Sequence, residues 1–219
     1  MSESPLRLPL LDKLYDQYLE HENSAEFIRV VSEAYSLGTV CRLAQFGKPV
    51  TRRAAVLVVG FLGSYSENEI LGAALCDSDR AVRMLADHGI RDLWGRQGTS
   101  QQQAQLQRLY QLISRNRMEE AIELANQLIG ENDKISEAWS QRAIALSATG
   151  EFCGAVEDCC EALNCNRYHF PAAMGMGHCC LQMGDLDGAL QGFRLALKIN
   201  PDLEDVRTQI HQIERKSEN

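Results

Sequence analysis

The chain has 219 residues, of which 45% are hydrophobic and 24% are charged, as in a globular protein that can bury a sizeable core. Its formal net charge is −8, which argues against general binding to nucleic acid or to anionic membranes. The excess of acidic residues lies mostly after residue 98, so a basic partner is expected to meet that half first.

The N-terminal sequence predicts neither a signal peptide nor a membrane anchor. Residues 1–23 carry acids where a signal peptide needs a basic start and a continuous apolar run. The longest apolar run, AAVLVVGFLG at 54–63, is far shorter than the roughly 20 residues of a membrane helix. A cytoplasmic location is therefore expected, where the eight cysteines are reduced thiols without disulfides.

Residues 1–36 form a predicted N-terminal segment with two helices. Residues 10–22 and 25–36 carry apolar side chains at helical spacing, and strand-like alternation is nearly absent from the chain. Only five prolines occur, and none interrupts a long periodic stretch. The sequence therefore predicts an all-α fold.

The run VLVVGFL at 56–62 is the one ambiguous stretch, because it is apolar and β-branched enough for a buried strand. Pro49 is well suited to open a helix just before it. One helical face would carry four of its apolar neighbours: Ala55, Val58, Val59 and Leu62. These flanks favour a helix.

Two stretches between residues 37 and 98 share a helical pattern in which an arginine precedes an alanine by three residues and apolar residues follow. The matched sets are Arg52, Ala55, Val59 and Leu62, and Arg83, Ala86, Ile90 and Leu93. The segment LCDSDRAVRMLA is similar to HEAT repeats, where an acid six residues before the arginine ties neighbouring turns together. The resemblance implies that role for Asp77 and Arg83, and a HEAT-like block over 37–98.

The DSDR sequence at 77–80 allows two interpretations. Its acids suggest a carboxylate pair, but they also suit a helix N-cap near the positive end of the helix dipole, and capping is favoured. Further along, GRQGTSQQQ at 95–103 is the predicted joint between the two halves, because Gly95 and Gly98 break the helix. Ser100 is expected to cap the helix that follows.

Residues 102–203 divide into three consecutive segments of equal length, 102–135, 136–169 and 170–203. The second and third align position by position: Gly150 with Gly184, Ala155 with Ala189, Cys159 with Phe193, and Ala162 with Ala196. The first segment continues the register more faintly through Ala121 and the pattern NRMEEAIELANQLI. The pattern resembles tandem tetratricopeptide (TPR) repeats, each consisting of a helix, a tight turn and a second helix.

The resemblance assigns particular packing positions. Trp139 takes the aromatic position of a first helix, Ala143 and Gly177 the small positions where two helices cross, and Pro201 the terminal proline. Small residues are needed there because antiparallel helices approach closely only when the crossing side chains are small. The fold implied is an α-solenoid of stacked antiparallel helix pairs, HEAT-like and then TPR.

The repeats also predict turns and an end cap. Gly150 and Gly184 are expected to release the backbone at the end of each first helix. Residues 204–219 are predicted to form a capping helix and tail, since a solenoid needs its last repeat covered. The apolar face of that helix consists of Val206, Ile210 and Ile213. Self-association through solenoid ends is left open.

The stretch EFCGAVEDCCEALNC, residues 151–165, holds four cysteines and raises the question of a metal or redox site. In the repeat alignment, Cys159 and Cys180 fall on packing positions, and a free cysteine behaves as a small hydrophobe. A zinc site usually presents paired C-x₂₋₄-C ligands on turns, and the chain has no C-x₂-C pair. Packing is therefore favoured, and no metal or cofactor is expected.

No catalytic signature stands out, since nucleotide-binding glycine loops, zinc-protease motifs and nucleophile elbows are missing from the sequence. The histidines lack ligand spacing, and each is expected to be an exposed or half-buried side chain. They are His21, His88, His169, His178 and His211. The protein is therefore predicted not to be an enzyme.

The arginines of the first half suggest one alternative function, a basic strip for phosphate: Arg52, Arg53, Arg80, Arg83, Arg91 and Arg96. HEAT-like folds include DNA-repair glycosylases and bilin-attaching lyases, although the interspersed acids favour structural roles. Two alternatives stay open. One is a HEAT-based enzyme or accessory lyase acting through these arginines or through Cys41 and Cys76, and the other is a thiol-dependent metal carrier.

The TPR resemblance implies a concave groove, lined by the first helices, that receives an extended peptide or a partner helix. The candidate contacts are Tyr110, Ser140, Gln141, Ile144, Met174 and His178. The groove is also expected to include Leu106, Ile113, Glu137 and Leu181. The competing interpretation is that its apolar members only pack within the solenoid.

The expected ligand is apolar. TPR proteins that bind acidic chaperone tails clamp the terminal carboxylate with lysine, asparagine and arginine, and those residues do not stand at the matching places here. The groove instead suits an aliphatic or aromatic segment. The sequence therefore predicts a non-enzymatic protein-binding scaffold or adaptor, whose partner is a protein or peptide and not nucleic acid or membrane.

Overall fold

A computed structural model describes residues 9–217, and over that range the chain forms thirteen α-helices and one short 3-10 turn. Residues 1–8 of the predicted N-terminal segment and residues 218–219 of the predicted tail lie outside the described part. The predicted all-α fold is confirmed. The chain divides into two compact units between Leu93 and Trp94.

The first unit is built from six helices that follow one another with short connections. They are α1 (Leu10–His21), α2 (Ser24–Ala34), α3 (Leu37–Phe46), α4 (Pro49–Leu62), α5 (Asn68–Ala74) and α6 (Arg80–Trp94), with the 3-10 turn at Tyr65–Glu67 before α5. Helix α4 contacts α1, α2, α3 and α5, so it forms the centre of this unit.

Helix α4 contains the ambiguous apolar run, and the helix prediction for it is confirmed. Pro49 is its first residue, and the side chains of Ala55, Val58 and Val59 are fully buried. Leu62 does not share that face and is 41% exposed, because α4 ends at this residue. The helix thus directs most of its apolar surface into the core of the unit.

Two consecutive arginines of α4 hold the loop before α6. Arg52 donates from Nε and Nη2 to the two carboxylate oxygens of Asp77, each over 2.7 Å. Arg83, which was predicted to share a role with Asp77 in tying neighbouring turns together, donates to the backbone carbonyl of Asp77 over 3.0 Å. The pairing of Asp77 with Arg52 was not predicted, because the two residues are 25 positions apart in the sequence.

Asp79 caps helix α6, as predicted for the DSDR sequence. Its Oδ1 accepts from the backbone N–H groups of Ala81 at 2.9 Å and Val82 at 3.3 Å. Arg53 donates to the same carboxylate, with the Nη2–Oδ2 distance at 2.6 Å. The bonds from Arg53 and from the two amides lower the pKa of Asp79 against the opposing effect of burial.

Replacing Asp79 by alanine is expected to cost about 1–2 kcal/mol of stability, because it removes the cap and the partner of Arg53. Amide hydrogen exchange should accelerate at Ala81 and Val82, while Asp79→Asn, which keeps an acceptor but no charge, should recover part of the loss. Since the pKa is lowered in the folded state, the wild-type advantage is present above the unfolded value of about 3.9 and disappears as the pH falls further. Unchanged exchange in Asp79→Ala would contradict this role.

The second unit consists of three helix pairs and a final helix. The pairs are α7 (Ser100–Ser114) with α8 (Met118–Glu131), α9 (Ser136–Thr149) with α10 (Phe152–Cys165), and α11 (Phe170–Gln182) with α12 (Leu186–Ile199), and α13 (Glu204–Ser217) follows. The predicted apolar face of α13, formed by Val206, Ile210 and Ile213, is buried. Within this unit each helix contacts the next one along the chain.

The helix ends of the second unit follow from short capping sequences. Thr99, and not the predicted Ser100, caps α7: its side chain accepts from the backbone N–H of Gln102, whose side chain accepts from the Thr99 N–H. Ser100 is instead the first helical residue. Gly150 and Gly184 have φ values of 88° and 79°, a conformation that disfavours side chains, so both glycines end their helices as predicted.

Helices α11 and α12 cross through two glycines. A Cβ atom built on Gly177 would lie 2.6 Å from Cδ1 of Phe193, so this position must be small, as predicted. A Cβ atom on Gly192 would lie 2.5 Å from the backbone nitrogen of Gly177. The backbones therefore approach to a distance that any side chain on Gly192 would prevent.

None of the helices in residues 9–217 combines the length and the apolar character that crossing a bilayer requires.

Candidate functional site

The first helices of the three pairs, α7, α9 and α11, lie side by side, since α7 contacts α9 and α9 contacts α11. We call their shared surface the first-helix face. The structure places all six candidate contacts on these helices: Tyr110 on α7, Ser140, Gln141 and Ile144 on α9, and Met174 and His178 on α11. Met174 is half-buried, and the other five fall into two groups.

The first group lines a pocket of about 200 Å³ between α9 and α11, which we call the junction pocket. Its lining is Ser140, Ala143, Ile144, Ser147, Cys159, Pro171, Gly175, His178 and Cys179. Three candidate contacts are therefore in one place: Ser140, Ile144 and His178. Cys159 comes from α10, behind the two first helices, and closes the pocket at its base.

His178 forms part of the pocket wall and also contacts the core. Its ring meets the edge of Phe193, with the ring centroids 5.0 Å apart and the planes at 77°. Burial lowers the pKa of His178, so the imidazole is neutral at physiological pH. Ile144, on the opposite wall, is 44% exposed. The pocket thus presents a neutral ring and an exposed apolar group.

The second group gathers around a buried carboxylate, and we call it the Glu137 network: Tyr110, Glu137, Gln141 and His169. Gln141 donates to Oε2 of Glu137 over 2.9 Å, and Nε2 of His169 lies 3.2 Å from Oε1. The hydroxyl of Tyr110 also donates to this carboxylate. Tyr110 and Gln141 are therefore tied to an internal group as well as to the surface.

His169 joins the network to the start of α11. Its Nδ1 accepts from the backbone N–H of Ala172 over 3.2 Å, so Nε2 carries the proton and donates to Glu137. The ring is fully buried and stacks on Trp94, with the centroids 4.5 Å apart. The expectation of an exposed or half-buried side chain at His169 is therefore wrong.

Hydrogen bonds decide the ionisation of the network. Burial alone would raise the pKa of Glu137, but the bonds from His169, Gln141 and Tyr110 outweigh it, and the pKa is lowered. Burial, together with the charge of Glu137, raises the pKa of the Tyr110 hydroxyl. Glu137 is thus a carboxylate at neutral pH, and Tyr110 remains a hydrogen-bond donor.

Glu137 was predicted to line the groove, but its hydrogen bond to His169 was not predicted. A signal was present in the repeat alignment. His169 corresponds to Ile135 in the repeat before and to Leu203 in the repeat after, so a polar ring occupies a position that is aliphatic in the neighbouring repeats. A polar residue at an apolar repeat position indicates a local hydrogen-bonded substitution.

The clustered cysteines divide into buried and exposed thiols. Cys159 and Cys180 are buried, as the packing prediction requires, and so is Cys179, whereas Cys153 and Cys160 are exposed. Burial raises the pKa of the Cys159 thiol, which keeps it protonated and unreactive. Among residues 9–217, no group of three or more histidine, cysteine or acidic side chains has a geometry that suits a metal ion.

The arginines and cysteines of the first half have mostly structural environments. Arg52 and Arg53 are engaged by Asp77 and Asp79, and Arg91 pairs with Asp87 over 3.3 Å. Burial raises the pKa of both thiols named for the alternative enzyme, Cys41 and Cys76. A raised pKa makes a thiol a weaker nucleophile at neutral pH, the opposite of what catalysis needs.

No protein-family profile matches the sequence, and no curated protein is similar to it at a significant level. Solved structures do match. The first TPR domain of Spaghetti (RPAP3), bound to an HSP90 peptide, is 16% identical, with a TM-score of 0.53 over 56% of this chain and 97% of that one.

Two further structures give the same result. The Yersinia enterocolitica type III secretion chaperone SycD, in complex with a peptide of the translocator YopD, is 15% identical, with a TM-score of 0.52 over 55% of this chain and 97% of that one. The Sgt2 TPR domain from Aspergillus fumigatus is 21% identical, with a TM-score of 0.52 over 55% of this chain and 81% of that one. These likenesses establish the fold: over half of the chain folds as TPR proteins do.

Proposed function

We propose that the protein is a non-enzymatic adaptor that binds a peptide or helix of a partner protein on the first-helix face, which would form the concave groove of its TPR repeats. The junction pocket is the observation that carries this proposal, because it opens between two first helices and includes Ile144, a large aliphatic side chain that is 44% exposed. Two of the structures that share the fold were solved with peptides, from HSP90 and from YopD.

The charges on this face support an uncharged, apolar ligand. Helix α11 has no acidic residue, lysine or arginine in its sequence, FPAAMGMGHCCLQ. On α9 the two charged side chains are engaged internally: Glu137 in its network, and Arg142 with Asp158, where both carboxylate oxygens accept over 2.7 Å. An acidic tail would find no cation offered to it by these two helices, so we expect HSP90-type peptides not to bind.

Three finer features belong to the same proposal. The helices of the first unit are proposed to form a HEAT-like block ahead of the TPR repeats, on the strength of the matched patterns around Arg52 and Arg83. The protein is proposed to act in the cytoplasm, where its eight thiols stay reduced. The contacts proposed for the ligand are the six candidates on the first-helix face.

Selection from a displayed library of random dodecapeptides tests the adaptor function. Ile144→Asp should weaken binding of selected peptides about tenfold or more, because it puts a charge where apolar surface would be buried. Leu186→Asp makes the same change on α12, outside the first-helix face, and should leave binding unchanged. Failure to select any peptide, or equal losses in both variants, would count against the proposal.

A further inference from the structure

We propose that the junction pocket receives one apolar side chain of the bound peptide, of the size of phenylalanine, in the place where the neighbouring repeat has a phenylalanine of its own. This inference rests on the adaptor function and specifies its ligand. It follows from a comparison of the α9/α11 junction with the corresponding positions one repeat later, on α12 and α13.

Three smaller residues make the pocket. Cys159, Gly175 and Cys179 at the α9/α11 junction correspond, one repeat later, to Phe193 on α12 and to Gln209 and Ile213 on α13. At each of the three positions the side chain is smaller than its counterpart one repeat later. Compared with the repeat that follows, this junction therefore contains less protein volume, and a pocket lies there.

Phe193 shows what fills the corresponding place. Its side chain is fully buried, and a Cβ atom on Gly177 would lie 2.6 to 3.0 Å from three of its ring atoms. The ring also meets His178, which belongs to the wall of the junction pocket. In the repeat before, Cys159 takes the place of Phe193 and Ala143 takes the place of Gly177, so the junction pocket is the part of the ring's volume that the Ala143 methyl group leaves open.

The opposite wall leaves the base of the pocket accessible. A Cβ atom on Gly175 would lie 3.1 Å from Sγ of Cys159, so even one methyl group there would press on the thiol. With glycine at this position, an entering side chain meets the sulfur directly. A sulfur atom next to an aromatic ring makes a favourable contact, which supports an aromatic occupant over an aliphatic one.

The lining matches that occupant in charge. The described residues around the pocket include no acid, lysine or arginine, and His178 is neutral because burial lowers its pKa. A charged side chain entering here would lose its hydration without gaining a partner, whereas an apolar ring loses none. The pocket is therefore complementary to an uncharged side chain and excludes ionised ones.

The junction between α7 and α9 shows why the pocket is placed at α9/α11. There the residues that correspond to Ile144 and Gly175, one repeat earlier, are Tyr110 and Gln141, and both are held against Glu137. Both side chains are larger than the residues at the same positions one repeat later. The bound peptide should therefore anchor its aromatic residue between α9 and α11.

Amide chemical shifts of ¹⁵N-labelled full-length protein, followed during titration with N-acetyl-phenylalaninamide, test the inference. The amides of Gly175 and His178 should shift, and N-acetyl-alaninamide should bind about tenfold more weakly or worse. Cys159→Phe should abolish the response by filling the pocket from within. Cys160→Phe adds the same group at the adjacent exposed position of α10 and should leave the response intact.

A second variant keeps the test decisive if Cys159→Phe folds poorly. Gly175→Ala narrows the pocket from α11, where alanine favours the helix, and should weaken the phenylalanine probe about threefold or more. Equal shifts with both amides, or a full response in both filling variants, would overturn the inference.

Different results would refute the proposed role of the pocket and the proposed adaptor function. Selected peptides that tolerate alanine at every aromatic and aliphatic position would refute the pocket's role and leave the adaptor standing. A phenylalanine probe that binds as expected, with no peptide selected, would count against the adaptor function and would show only that the pocket accepts a phenylalanine ring.

Discussion

Gly192→Ala is expected to lower the stability of the second unit by about 3 kcal/mol. The added Cβ would lie 2.5 Å and 2.8 Å from the backbone N and Cα of Gly177 and 2.9 Å from the carbonyl oxygen of Ala173. All three atoms belong to the backbone of α11, so no side-chain rotation relieves the overlap. Helices α11 and α12 must instead move apart.

Urea unfolding followed by circular dichroism measures this loss, and the midpoint should fall by about 1–2 M. Native-state amide exchange should show lost protection in α11 and α12. Gly130→Ala is the matched control, because a Cβ atom there meets nothing within 4 Å and alanine favours the helix. An unfolding midpoint of Gly192→Ala at the wild-type value would show that the two backbones are not held as close as described.

His169→Ala is expected to cost about 3–5 kcal/mol at neutral pH. Three losses combine: the donor to the buried carboxylate of Glu137, the acceptor that caps α11 at Ala172, and the ring stacked on Trp94. The first is the largest, because a buried carboxylate deprived of a hydrogen bond bears its desolvation without compensation. His169→Asn, which restores a cap but does not reach Glu137, should recover about 1 kcal/mol.

The pH dependence of stability distinguishes the loss of the hydrogen bond to Glu137 from the loss of ring volume alone. In wild type the pKa of Glu137 is lowered, so its contribution to stability is present above the unfolded value of about 4.3 and is lost as the pH falls. Without His169, burial should raise that pKa, and the variant should lose stability as the pH rises above the same value. The gap between the two proteins should therefore widen from pH 4 to pH 7.

A double-mutant cycle provides the control. In a Glu137→Gln background there is no buried charge that loses its hydrogen-bond donor. His169→Ala should therefore cost less stability, and that cost should depend less on pH. A gap that is constant with pH, and unchanged by Glu137→Gln, would mean that only the volume of the ring matters at position 169.

The parts of the fold that local sequence determines were predictable. Pro49 and the spacing of Val58 and Val59 identified α4 as a helix, and Gly150 and Gly184 marked turns that need positive φ. The repetition along residues 102–203 carries the same kind of local information three times. These features could be predicted because each depends on residues within one or two helical turns.

Contacts between distant segments were harder to predict. The resemblance assigned Asp77 and Arg83 one shared role, but it did not predict that α4 brings Arg52, 25 residues earlier in the chain, to the carboxylate of Asp77. Gly177 was recognised as a crossing residue from its repeat position, whereas Gly192 was not, because its counterpart in the preceding repeat is Asp158. Sequence periodicity identifies the buried face of a helix. The residues that contact that face are determined by how the helices pack.

The candidate site shows the same limit. All six predicted contacts lie on the first helices of the second unit, since helical spacing alone places them there. The pocket itself depends on small residues at three positions, Cys159 on α10 and Gly175 and Cys179 on α11. A pattern of apolar positions does not reveal the space that these residues leave. The Glu137 network requires knowing that residue 169 meets residue 137, a pairing set by the stacking of the pairs.

The Glu137 network also bears on how related sequences can diverge. Glu137 has three side-chain donors, from α7, α9 and the start of α11, so losing His169 alone strands a charge and losing Glu137 alone strands its donors. Drift at either position must therefore pass through a less stable intermediate or change both codons together. The pocket positions Cys159, Gly175 and Cys179 are not acidic or basic, so a substitution there leaves no buried charge without a partner. Descendants of this chain should keep the pair 137/169 long after the pocket, and the ligand it selects, have changed.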